Sequence, residues 1–91
     1  MTPDDFRKEA AARGFEAPIE KSWEAGRVNA MHTHDGALYL LGLAGEMTVV
    51  YDDGSPPVVL GPGATVEVPG GVVHEERAGP DGVRFLAAVR G

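Results

Sequence analysis

The chain has 91 residues and a mass of 9.5 kDa, enough for one domain. It contains no cysteine, which excludes a disulfide framework, a thiolate metal site and a cysteine nucleophile, so a metal or a partner subunit is the expected staple for so small a fold. Eight basic residues against fourteen acidic ones leave a net charge of −6, the wrong sign for a nucleic-acid phosphate backbone. The opening Met1 to Asp5 is acidic and carries no apolar leader, and no apolar run approaches a membrane span. A cytoplasmic protein without a membrane partner is expected.

One helix is predicted, over residues 3–13. Thr2 is a good N-cap, Pro3 suits the first helical position, and Asp4 and Asp5 favour the positive end of the helix dipole. Gly14 is placed to end it. Phe6 and Ala10 share a face, with Phe15 just beyond, so the helix should pack on the outside of a sheet.

From Ile19 the apolar period changes to two. Thirteen glycines and seven prolines, nearly all after residue 13, fall between short apolar segments, the punctuation of an all-β sandwich or barrel. Strands are expected from Ile19 to Glu24, Arg27 to His34, Ala37 to Leu43 (apolar throughout, hence covered on both faces) and Glu46 to Tyr51. A turn at Asp52-Asp53-Gly54 leads to a strand after Pro56-Pro57. Further strands follow at Thr65 to Val68, Val72 to Arg77 and Val83 to Val89. Turns at Gly61-Pro62-Gly63, Pro69-Gly70-Gly71 and Pro80-Asp81-Gly82 separate them. The count is about eight short strands, with residues 1–16 as helix and lead-in and 17–91 as the barrel.

The chain has three histidines. His32 and His34 are two apart, so on a strand both rings point the same way, with Val28 and Ala30 on the same face. Side-by-side imidazoles facing an interior need their nitrogens satisfied, and a divalent cation does so directly. His74, on another strand of similar pattern, would complete a facial set with open positions. Alternatively, His32 and His34 lie exposed at a strand end, and His74, flanked by Glu75 and Glu76, lies on the surface.

The frame around the histidines favours the first reading. Gly26 is followed by five residues, His32-Thr33-His34, three residues, Leu38, six residues and Gly45. Gly63 is followed by five residues, Pro69, one residue, Gly71, two residues and His74. These spacings resemble the two motifs of the cupin superfamily, G(X)5HXH(X)3,4E(X)6G and G(X)5PXG(X)2H(X)3N. The short intermotif stretch is similar to that of small stand-alone bacterial cupins. The resemblance implies a double-stranded β-helix, the jelly-roll cupin barrel, with a homodimer expected from the thin core. It also implies a metal held by His32, His34 and His74.

Two positions depart from the pattern. The family's glutamate falls at Leu38, or at Tyr39 with the longer gap, and its late asparagine is Ala78. The usual three-histidine-one-glutamate set is therefore not carried over, and a three-histidine site is expected. This arrangement resembles some iron(II) cupin dioxygenases, so iron(II) is the first expectation, with zinc, nickel or manganese as alternatives. Leu38 is expected to form an apolar wall near the metal; Asp35 points away by strand parity and contacts the site or its ligand only if a turn at Asp35-Gly36 brings it back; Glu75 is expected to point away into solvent. Tyr39 and Tyr51 are expected as packing residues, Met31 and Met47 as core filler, and Trp23 in the barrel wall or a dimer interface. The sequence carries no phosphate-cradling glycine loop and no nucleophile elbow. Three readings remain open: a metal-dependent enzyme acting on a small organic substrate, a non-catalytic ligand- or metal-binding sensor module, and a barrel with an empty site.

Overall fold

The computed structural model describes residues 1–91. It opens with helix α1 (Pro3–Ala12), capped by the Thr2 side chain, which accepts a hydrogen bond from the Asp5 N–H at 3.1 Å. Gly14 follows with φ +80°. Six strands follow: β1 (Ile19–Trp23), β2 (Val28–His32), β3 (Ala37–Tyr51), β4 (Val58–Leu60), β5 (Thr65–Val68) and β6 (His74–Arg90).

Two strands carry the architecture. β3 and β6 pair antiparallel along their whole length, from Ala37 opposite Arg90 to Tyr51 opposite His74. The far half of β6 is flanked by β1 and the near half of β3 by β5. At the other end β2 flanks the start of β6 and β4 flanks the end of β3. Two four-stranded halves thus share two bent strands, and their inner faces close a core of ten buried residues that includes Leu40, Val66 and Phe85 from one half and Met47, Val49 and Leu60 from the other. This is the expected all-β jelly-roll barrel. Its outer face at Tyr39, Leu41, Leu86 and Ala88 is covered by Phe6, Ala10 and Phe15, so the helix lies outside the sheet. The Tyr39 hydroxyl donates to Glu9 at 2.8 Å, as a packed tyrosine requires.

Three sequence expectations are corrected. The eight short strands are six, because the expected breaks at Gly45 and at Pro80-Asp81-Gly82 lie inside β3 and β6. The register explains this. Gly45 pairs with Val83 and Met47 with Ala78, so residues 79–82 bulge out opposite Glu46. Gly45 and Gly82 both take positive φ, +66° and +76°, and a Cβ on Gly45 would collide with the Gly82 carbonyl. The glycines bend a continuous ladder from one half to the other; they do not reverse the chain.

The second correction concerns β2. Val28 and Ala30 are exposed, not interior, and Met31, expected as core filler, is exposed as well. A register shift between Asn29 and His32 breaks the alternation, so Asn29 and His32, three apart, face the same cavity. The bulge turns His32 inward while Val28 and Ala30 turn out. The strand also stops at His32, leaving His34 beyond its end.

The third correction is Glu75. It is buried, with only 9% of its surface exposed, and its carboxylate pairs with the Arg77 guanidinium. The charge is covered because a partner on the same strand satisfies it.

Candidate metal centre

The pairing of β2 with β6 sets His32 opposite His74. His34 is placed by a different element: its carbonyl accepts the Gly71 N–H at 2.8 Å, and Gly71 reaches that position with φ +80°. The turn Pro69-Gly70-Gly71 thus links the segment bearing His34 to the strand bearing His74. The three rings meet with centroid separations of 4.8 Å (His32 to His34), 4.5 Å (His32 to His74) and 5.4 Å (His34 to His74).

A fourth residue joins them. Glu76 is buried and shares the face of His74, two residues earlier on β6. One ligand atom from each of His32, His34, His74 and Glu76 fits within a 4.8 Å span. Glu76 was not among the residues expected to gather here. The signal was present in the sequence: the period-two rule that pairs His32 with His34 also pairs His74 with Glu76. The family pattern draws attention to Leu38 and hides it.

Ring orientation defines the chemistry of this cluster. Nδ1 of His32 lies 2.6 Å from the Ala30 carbonyl, and Nδ1 of His74 lies 3.0 Å from the Val72 carbonyl. A carbonyl only accepts, so both Nδ1 atoms carry a proton, and in the neutral tautomer each ring presents a bare Nε2. These Nε2 atoms face the Glu76 carboxylate, at 3.3 Å from Oε2 for His32 and 3.2 Å from Oε1 for His74. Glu76 Oε2 is buried without a hydrogen-bond partner. Acceptor facing acceptor in a buried site is repulsive unless a cation or protons lie between them.

A divalent cation fits that demand. Two ligand atoms each about 2.1 Å from one ion lie roughly 3.0–3.4 Å apart in octahedral or tetrahedral coordination, which brackets the spacings of Glu76 to both rings. Hydrogen bonds from the distal ring nitrogen to backbone carbonyls are the usual outer support of metal-binding histidines. Partial desolvation, and then the neighbouring His32 and His74, hold His34 below the usual imidazole range, which favours the neutral, ligating form.

The cluster opens on a cavity of about 190 Å³ walled by Trp23, Leu38, Leu40, Met47 and Phe85, with His32, His34 and Glu76 at one side. Leu38 occupies the expected place as an apolar wall. Trp23 is barrel wall, edge-on to Phe85 with centroids 5.2 Å apart. Asp35 is exposed and lines none of this cavity, so it does not join the site. Ala78, at the family's asparagine position, is core.

Residues 21–89 match the family model described as "Cupin domain". The chain belongs to the cupin family. Among solved structures, this cupin resembles the DMSP lyase DddQ from Ruegeria pomeroyi at 32% identity and a TM-score of 0.73, over 82% of this chain and 38% of that one. It therefore spans well under half of the lyase. An RmlC-like cupin from Desulfovibrio desulfuricans is 26% identical with a TM-score of 0.65, over 84% of this chain and 71% of that one. A cupin-like protein from Thermotoga maritima is 26% identical with a TM-score of 0.69, over 90% and 60% of the two chains. No curated protein matches the chain. No helix is long and apolar enough to cross a membrane.

Proposed function

We propose that this cupin holds one divalent cation through His32, His34, His74 and Glu76 and acts on a small organic substrate in the adjoining cavity. The observation that carries this reading is the buried Glu76 carboxylate, its Oε2 without a hydrogen-bond partner, facing the Nε2 atoms of His32 and His74. Imidazole with one carboxylate suits iron(II), with nickel, zinc and manganese as alternatives. A bound cation supplies Lewis acidity toward a substrate oxygen. The protein does the rest. The Ala30 and Val72 carbonyls fix two rings, Glu76 offsets part of the cation's charge, and Leu38, Leu40, Met47, Trp23 and Phe85 keep the cavity apolar.

The likeness to a lyase supports bond cleavage over dioxygen chemistry. The resemblance to iron dioxygenases rested on a neutral three-histidine set, which Glu76 turns into a charged one. A second reading, a non-catalytic binding module, is favoured by the rest of the cavity wall. Beyond the four ligands, its only acid–base groups are Glu16 and Lys21, both exposed, and no tyrosine lines it. Equilibrium dialysis against iron(II), nickel, zinc and manganese, followed by elemental analysis, tests the metal. One ion per chain is expected, lost in His32→Ala. Equal uptake by wild type and that variant would overturn the assignment.

A further inference from the structure

Lys21 is placed differently from the chain's other cations. On β1 the side chains of Ile19, Lys21 and Trp23 alternate toward the cavity, and Lys21 is the one basic residue lining it. None of the ion pairs in the structure includes it. The nearby cations are otherwise engaged: Arg84 faces Glu20, Arg27 stacks on Trp23, and Arg90 donates to the Arg13 carbonyl. Asn29, turned to the same cavity by the bulge in β2, has no hydrogen-bond partner for its amide either. Lys21 and Asn29, with the exposed Glu16, are therefore the polar groups on an otherwise apolar wall beside the cluster of His32, His34, His74 and Glu76. That is how small-molecule sites fix orientation.

We infer that the cavity takes a small organic monoanion, with an apolar body against Trp23 and Leu38 and its carboxylate received by Lys21. This rests on the metal site proposed above and names its substrate class. Charge sets the valence. A divalent cation and Lys21 contribute three positive charges, and Glu76 and Glu16 contribute two negative ones. One carboxylate neutralises the remainder, a dicarboxylate leaves an uncompensated anion against apolar walls, and an amide leaves the cation unmatched. Volume sets the size, since about 190 Å³ is below the usual ~300–1,000 Å³ of drug-sized pockets. The Asn29 amide supplies a hydrogen bond that an aliphatic chain alone does not answer.

The test uses the full chain loaded with cobalt(II), whose visible absorption reports the metal surroundings without requiring turnover. Propionate, propionamide and succinate are titrated in turn. Propionate is expected to perturb the spectrum at concentrations at least about tenfold below the other two, because a charge-assisted hydrogen bond is worth roughly one to two decades of affinity. Lys21 is exposed, so Lys21→Met should fold; it is expected to weaken propionate about tenfold or more while leaving cobalt stoichiometry and the propionamide response unchanged. Lys21→Arg should restore most of the loss. Equal affinity for propionate and propionamide, or an unaltered propionate response in Lys21→Met with cobalt uptake intact, overturns this inference alone. No cobalt uptake by the wild-type chain overturns the metal reading and this one with it.

Discussion

Replacing Glu76 by glutamine separates a metal ligand from a structural ion-pair partner, because the two roles predict opposite effects on the metal-free protein. As a ligand, Glu76 supplies the one negative charge in a set of three imidazoles. Removing one partner from a buried charge pair costs about 3–5 kcal/mol, so at about 1.4 kcal/mol per decade the variant should bind a divalent cation roughly a hundred- to several-thousandfold more weakly. Without metal the sign reverses. With both rings neutral, the wild-type carboxylate faces two bare Nε2 atoms and leaves Oε2 unsatisfied, whereas the glutamine amide can donate to one of them. An unsatisfied buried group costs about 1–3 kcal/mol. Each kcal/mol shifts the melting temperature of a domain this size by about 4–8 °C, so metal-free Glu76→Gln should melt at least as high as wild type. Competition with a chromogenic chelator reads the first quantity, and thermal unfolding in excess chelator reads the second. Metal affinity unchanged within threefold, or a metal-free variant melting several degrees lower, would refute the reasoning. Glu76 would then be the counterion of protonated histidines.

Leu38→Glu should leave metal affinity within about threefold in the wild-type background, where Glu76 already provides the carboxylate, but recover at least about tenfold in the Glu76→Gln background; the same chelator competition checks both. Gly45→Ala should destabilise by about 3 kcal/mol or more, since it combines a positive φ with a collision against the Gly82 carbonyl, whereas Gly26→Ala, at φ +74° in open space, should cost only about 1–2 kcal/mol; urea melts of the two variants compare them. The melting-temperature increment that a chelator removes at neutral pH should shrink on acidification, because protons compete for imidazoles that ordinarily titrate at about 6.5. His34 adds to this in the same direction: its folded value is lowered, so the unfolded chain takes up that proton first and acid favours unfolding.

Much of the barrel was readable because turns and glycines are local signals. Gly26, Gly63 and Gly71 all take positive φ, as their places in the two motifs require, and the helix follows from Thr2, Pro3 and the Phe6/Ala10 face. What misled was the assumption that a glycine or proline cluster reverses the chain. At Gly45 and at residues 79–82 it bends a pair of strands that stay hydrogen-bonded, and only the cross-strand register distinguishes the two outcomes. The shift between Asn29 and His32 is likewise a property of the pair β2 and β6, with no local mark. Its consequence is that His32 faces the cavity as parity expects, while Val28 and Ala30 lie on the opposite side from the one expected. Glu76 is the reverse case: its parity with His74 is local, yet a fixed expectation of where the acidic ligand belongs obscured it.

The central claim is that four named side chains share one cation. Anomalous diffraction at the metal's absorption edge, from crystals grown with one equivalent of the metal retained in dialysis, tests it directly. The account predicts a single peak per chain, about 2.0–2.2 Å from Nε2 of His32, Nε2 of His74, a ring nitrogen of His34 and a carboxylate oxygen of Glu76. A peak at another group of residues, or a peak bonded to the histidines with Glu76 turned away, would contradict it.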